Sequence, residues 1–492
     1  MPSTPASNPR SSLESIPGSI PRSIREAYDP ERFRRDGHAL VDTLADHLAR
    51  AHDRQGPVVP WQAPEAARAE WGGAPLAGGD LHTDLSTILA RSTALAHPHC
   101  MAHQVPPPLP GAVLAEAVAA LTNNGMAVYE MGPAAVPIEL AVVKFLAGKL
   151  GFGATAGGVL TSGGSLGNLT ALLAMRQARA GFDSWTAGAH GGPPLAVITS
   201  NEAHYSVART LGIMGWGEGG VIAAPVDDHH RMTAEAVRVA LASARDSGRR
   251  VIGIVAAAGS TATGSFDPLE ELAELAAHEQ LWLHVDAAHG GGVALSATHR
   301  TKLAGIERAD SVVWDAHKLL MMPALVTAVL FKHESHAYEA FAQRASYLFA
   351  DERAATNWWD LGTRTLECTK RAMAIELWTQ LRAHGEQLFA DIIDRQAALT
   401  RTFADKLVAA PDFELALQPE LNIICYRHTP AGVANLDAHN RALRQRVVED
   451  GRFYIVGTML GETYYLRSTI MNPLIESSDF DHLLDHLRAL CR

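Results

Sequence analysis

Between about residues 155 and 335 the chain alternates short, mostly apolar runs with helical stretches, and that alternation leaves few folds open. The runs are Val197–Thr199, Val251–Ala256, Leu281–Val285, Ser311–Trp314 and Thr327–Phe331. Unbroken apolarity suits strands covered on both faces, as in a parallel sheet, better than strands with one wet face. Helices fit residues 165–180, 233–246 and 268–279. Strand, helix, strand in this order implies an α/β domain built on a mostly parallel sheet.

The flanks read differently. Residues 1–24 hold five Pro and seven Ser and no apolar core stretch, which makes them a flexible leader rather than an export signal. An amphipathic helix follows at Glu31–Asp53, then a Pro- and Trp-bearing connector from Gly56 to about Gly79, then a helical stretch around 80–95. His97 to Pro110 is dense in Pro and His and is expected to be irregular, with helices at 111–122 and 138–150, the second stopped by Gly151. Past residue 365 come long helices to 408, strand-like pieces at Leu421–Tyr426 and Tyr464–Arg467, and a last helix from about 478. The expected organisation is a leader (1–24), an N-terminal helical segment (25–95), a large domain (96–375) and a smaller α+β domain (376–492).

Net charge is −11, which argues against nucleic acid as a partner, because a broad basic face is the usual footprint. Four cysteines without a CxxC spacing exclude a disulfide scaffold and point to a reducing compartment. No run of about eighteen apolar residues is present, so no membrane span is expected. The expectation is a soluble, cytoplasmic protein.

In an open α/β sheet, ligands bind beyond the carboxyl ends of the strands. After Val197–Thr199 come Asn201 and His204; after Val251–Ala256, Ser260 and Thr261; after Leu281–Val285, Asp286; after Ser311–Trp314, Asp315, His317 and Lys318. An imidazole, carboxylates, an amine and hydroxyls would meet on one rim. Thr161-Ser162-Gly163-Gly164-Ser165 precedes a helix whose free N–H groups suit a phosphate. Lys318 sits past an apolar strand and just before Met321, Met322 and Pro323, where an amine that binds a carbonyl cofactor is expected. Asp286, 32 residues upstream, suits the pyridinium nitrogen of pyridoxal phosphate, which needs an acidic partner. Residues 163–167 also spell G-x-S-x-G, the nucleophile elbow of α/β-hydrolases, with Ser165 as nucleophile, and that reading stays open at this point.

HVDAAHGG (284–291), the DxHK of Asp315–Lys318, EAHYSV (202–207) and TSGGSLGNL (161–169) together resemble the group II pyridoxal-phosphate amino-acid decarboxylases. That family includes enzymes for glutamate, aspartate, cysteine sulfinate, diaminobutyrate and aromatic amino acids. The likeness runs from about His97 to Pro473 with the motifs in family order. It implies the fold-type I, aminotransferase-like architecture and decarboxylation of an L-amino acid to an amine and CO₂. Lys318 would bind the cofactor covalently and Asp286 would pair with its ring nitrogen. His204 would stack on the ring, with Ala288 on the other face. Gly164, Ser165, Thr261 and His317 would complete the cofactor site. Gln104 and Arg467 match the family's substrate-side Gln and C-terminal Arg, and a homodimer with active sites at the interface is implied.

The chain departs from its relatives at one place. Many members carry, in a loop after a Tyr-Leu pair, a Tyr that protonates Cα. Here the pair is Tyr347-Leu348, and residues 349–360 contain no Tyr, only Phe349, Trp358 and Trp359 as aromatics. An aldehyde-forming oxidative outcome on the same cofactor is therefore the alternative to the amine. His97, His99, Cys100 and His103 have metal-like spacing without a second cluster to complete it, so no metal is expected. Asp227–His230 reads as a solvated turn, and Trp358-Trp359 fits core, loop packing or a gate equally.

Overall fold

A computed structural model of the chain describes residues 20–341 and 358–491. The described residues up to Gln55 form one compact unit with Gln62–Ser92; Gly56–Trp61 and the residues from Thr93 onward form the other.

The smaller unit is helical: α1 (Arg22–Ala27), α2 (Pro30–His52), α3 (Pro64–Gly73) and α4 (Leu81–Arg91). Asp29 caps α2 by accepting from Glu31 N at 3.1 Å, with Pro30 at the first helical position, and Asp80 caps α4 by accepting from Thr83 N at 2.9 Å. Two expectations need correcting here. Residues 22–24 of the supposed leader belong to α1, and the supposed connector contains α3. Pro at the start of α3 fixes φ for a first turn rather than breaking one, which the Pro-rich reading overlooked.

In the larger unit, α5 (Pro110–Thr122) and α6 (Ala135–Lys149) lead to β1 (Gly157–Thr161) and α7 (Gly164–Arg179). Then come α8 (Ser184–Ala187), β2 (Leu195–Ser200), α9 (Ser206–Ile213), β3 (Val221–Ala224), α10 (Ala234–Asp246), β4 (Arg250–Ala257) and α11 (Leu269–Glu279). The series ends with β5 (Trp282–Asp286), β6 (Ser311–Asp315), β7 (Thr327–Phe331) and α12 (Ser335–Glu339). These strands make one seven-stranded sheet in the order β1-β7-β6-β5-β4-β2-β3. Every residue of β1, β2, β6 and β7 is buried, as strands covered on both faces are.

β7 is the exception to the parallel arrangement: it runs antiparallel to both β6 and β1. Its connection from β6, residues 316–326, contains no helix, and a parallel return needs a crossover of about a dozen residues or more. Reversed twice, β1 again points the same way as β6, so its carboxyl end joins the others on one rim. Trp282 and Trp314 are fully buried against the sheet. No described helix is long and apolar enough to cross a membrane.

The C-terminal part holds α13 (Ala374–His384), α14 (Gln387–Ala409), β8 (Phe413–Leu415), β9 (Ile423–His428), α15 (Leu436–Asp450), β10 (Val456–Leu460), β11 (Thr463–Thr469) and α16 (Ser477–Ala489). Its antiparallel sheet runs β10-β11-β9-β8 over a core of Phe403, Tyr426, Leu466 and Phe480.

Candidate active site

The carboxyl ends of β1, β2, β4, β5 and β6 surround a cavity of about 420 Å³. Gly164, Ser165, His204, Thr261, Asp286, Ala288, His317 and Lys318 all line it, so eight of the ten anticipated residues come together.

β1 delivers the anion-binding turn. Gly163 adopts φ +111°, a conformation only glycine takes readily, and it leads the chain into α7, whose first residues Gly164 and Ser165 line the cavity. A Cβ on Gly164 would lie 3.2 Å from both carboxylate oxygens of Asp315, so glycine keeps that floor open. The hydroxyls of Ser162, Ser165, Ser260 and Thr261 border the same end.

Lys318 Nζ lies 2.9 Å from Asp315 Oδ2. Burial alone would raise the Asp315 carboxyl, but the charges of Lys318 and His317 and the Thr327 hydroxyl at 2.5 Å outweigh it and hold the group below the usual carboxylate range. Asp315 is thus a fixed anion that holds the Lys318 ammonium in place.

A second chain of polar groups starts at Asp286. Asn168 Nδ2 donates to Asp286 Oδ2 at 2.9 Å and to Ser206 Oγ at 2.9 Å, while Ser206 Oγ meets His204 Nδ1 at 2.8 Å. Behind it His284 Nε2 meets Asn168 Oδ1 at 3.0 Å and its Nδ1 meets Ser311 Oγ at 2.9 Å. Burial pushes His284 down to about 4, so at neutral pH it is an uncharged spacer that orients Asn168. Burial also lowers His204, against the pull of the Asp286 charge. His289, fully buried and held by Asn422 Oδ1 at 2.7 Å, falls to about 3.

Gln104 and Arg467 do not line the cavity. Arg467, on β11, is buried and donates from Nε to Ala262 O at 3.0 Å and from Nη2 to Thr261 O at 2.6 Å, so it props the Thr261 loop from below. No described carboxylate pairs with it, an unusual state for a buried guanidinium. Gln104 Nε2 is likewise buried without a protein partner among the described residues.

Sequence reasoning missed Asn168, Ser206 and His289 as site groups, and it placed Asp315 on the rim without giving it a role. The available signals were an Asn in the first turns of the helix after the glycine turn, and an acid that ends an apolar strand three residues before Lys318. Residues 342–357, which include Tyr347, Leu348 and Phe349, lie outside the described part. Trp358 and Trp359 pack edge to face at 5.4 Å. No histidine hydrogen-bonds Ser165 among the described residues, which removes the geometric basis of a hydrolase triad.

These groups fit pyridoxal phosphate: a helix N-terminus with hydroxyls for the phosphate, a carboxylate for the ring nitrogen and an amine for the carbonyl carbon. Comparison with known proteins agrees. The profile of the pyridoxal-dependent decarboxylase conserved domain matches residues 72–429. The chain is 31% identical over 422 residues to L-2,4-diaminobutyrate decarboxylase of Acinetobacter baumannii, covering 82% of each. To cysteine sulfinic acid decarboxylase of Rattus norvegicus it is 32% identical over 397 residues, 78% of this chain and 79% of that one. The crystal structure of mouse CSAD in apo form superposes with a TM-score of 0.87 at 27% identity, over 94% of this chain and all of that one.

Proposed function

The chain belongs to the pyridoxal-dependent decarboxylase family, group II, and from that premise we propose how its residues divide the work and what they release. It is a fold-type I, pyridoxal-phosphate-dependent amino-acid decarboxylase. The observation that carries the division of roles is the pairing of Lys318 with Asp315 in the same cavity as the Asp286–Asn168 pair.

Lys318 Nζ would hold the carbonyl carbon of the cofactor, and the α7 N-terminus with Gly164, Ser165 and Thr261 its phosphate. Asp286 would accept from the ring nitrogen, with Asn168 keeping its second oxygen occupied. When bound, the cofactor supplies the electron sink for the pair left as the Cα–carboxylate bond breaks. His204 and Ala288 would flank the ring, and His317 would close the wall beside Lys318. His204 Nδ1 is tied to Ser206, which leaves Nε2 to carry a proton to Cα, the task that Tyr performs in many relatives. Burial lowers its pKa, so donation from Nε2 should fall off as pH rises. Arg467, which meets two backbone carbonyls but no described carboxylate, and the Gln104 amide would take up a substrate carboxylate.

The product is the amine. Incubating the holoenzyme with a panel of L-amino acids should yield amine and CO₂ one for one, at the same rate in air and under argon. Stoichiometric oxygen uptake with aldehyde would overturn this. The working unit is a homodimer in a reducing, cytoplasmic setting, consistent with four unpaired cysteines. In α5, Leu114, Val118 and Leu121 stand more than half exposed, and Ile24, Tyr28, Phe33 and Val41 leave the helical unit with an apolar surface that a second copy would cover. Light scattering should report twice 52.6 kDa; a monomer with cofactor bound would exclude the arrangement.

A further inference from the structure

Away from the cavity, three ligand-bearing side chains from distant parts of the chain converge. His428 ends β9, His439 lies on α15, and Cys491 follows α16. His428 Nδ1 is 3.0 Å from His439 Nε2, and Cys491 Sγ is 3.5 Å from the first and 3.8 Å from the second. A hydrogen bond between the two imidazoles accounts for one edge of this triangle. It does not require the sulfur to face both nitrogens at once.

A tetrahedral zinc ion does. With Zn–N near 2.0–2.1 Å and Zn–S near 2.3 Å, two ligand nitrogens stand about 3.3 Å apart and each about 3.6 Å from the sulfur. The three observed separations fall within about 0.3 Å of those values. The surroundings match as well. His428 is buried, and its other ring nitrogen, Nε2, points to Asp412 Oδ2 at 3.6 Å. Arg488 holds that carboxylate from Nε at 2.7 Å and Nη2 at 2.8 Å. A carboxylate behind a ligating imidazole fixes the ring and its tautomer.

We propose that His428, His439 and Cys491 bind one zinc ion, with a fourth position left to water, and that the ion clasps the end of the chain to β9 and α15. Two imidazoles and a thiolate suit zinc over calcium or magnesium, which take oxygen ligands. Arg446, Arg488 and Asp412 are the charged groups facing the cluster. Zinc binding breaks the Cys491 S–H bond, forms Zn–S and releases the proton to buffer.

The test uses the full-length holoenzyme, stripped with chelator and dialysed against buffered free zinc. One zinc per chain is expected, and the cobalt(II) form should show a thiolate-to-cobalt absorption band that is absent from Cys491→Ser. Cys491→Ser and His439→Gln should each lower bound zinc at least tenfold at fixed free metal, with decarboxylation and cofactor content unchanged because neither residue lines the cavity. No zinc above background overturns the proposal. So does stoichiometric zinc that survives both substitutions, including zinc lost only in His482→Gln, which would place it at the His99–Asp479–His482 group instead.

Discussion

Lys318→Ala is expected to abolish turnover and covalent retention of the cofactor together. The replacement removes the one amine among the described residues that line the cavity, and the remaining lining groups are carboxylates, imidazoles, hydroxyls, the Asn168 amide, apolar side chains and backbone, none of which can hold a carbonyl carbon as a lysine does. Holding a reactant in place is worth effective molarities of about 10⁵–10⁸ M, so losing the covalent tie should cost more than about 10⁴-fold. Borohydride reduction followed by peptide mapping should find the cofactor on the Lys318 peptide of the wild type and nowhere in the variant. Asp286→Asn separates the roles. An opposite charge shifts a partner's pKa by about 1–3 units, at about 1.36 kcal/mol per unit, so this variant should lose about ten- to a thousandfold in rate yet keep the adduct. Full activity in Lys318→Ala would remove the assignment of this cavity altogether.

The features legible in the sequence belong to residues that act locally. The DxHK and HVDAAHGG motifs each end a strand, so the residues just past the apolar runs, together with the glycine turn, account for eight residues that line the cavity. Three kinds of feature were not legible. β1 and β3 are edge strands of five and four residues, too short and in β1 too glycine-rich to stand out as runs. The antiparallel turn of β7 depends on the missing crossover helix, not on composition. The networks behind the site join residues more than a hundred positions apart: Asn168 to Asp286 and His284, Arg467 to Thr261. Hydrogen-bond partners at that separation leave no periodic trace. Helix α15 was overlooked because its polar face dominates, with only Asn440, Leu443, Val447 and Val448 buried.

One such long-range pair governs the anion-binding turn. β1 is the edge of the large sheet and pairs only with β7, so Leu160 presents its N–H and C=O to the open side. Glu139, from α6, accepts from Leu160 N at 2.9 Å; Lys370 Nζ donates to Leu160 O at 2.6 Å and to Glu139 itself. All three groups are buried, so the ion pair closes the sheet edge one residue before Thr161 and the glycine turn. Burial, aided by the charge of Arg364, lowers Lys370, and the Glu139 and Glu367 carboxylates oppose it. Lys370→Met should strand that carboxylate and cost about 3–5 kcal/mol, the usual penalty for breaking a buried pair from one side. The drop should show in the urea midpoint of the apoenzyme and as weaker cofactor binding, because the turn holding the phosphate loses its anchor. Adding Glu139→Gln should return most of the stability: one amide accepts from Leu160 N through Oε1 and donates to Leu160 O through Nε2, with no charge left buried. A single variant within about 1 kcal/mol of wild type would show that water, not Lys370, satisfies Glu139. A double variant no better than the single would show that the charge of Glu139 itself is what the edge of β1 requires.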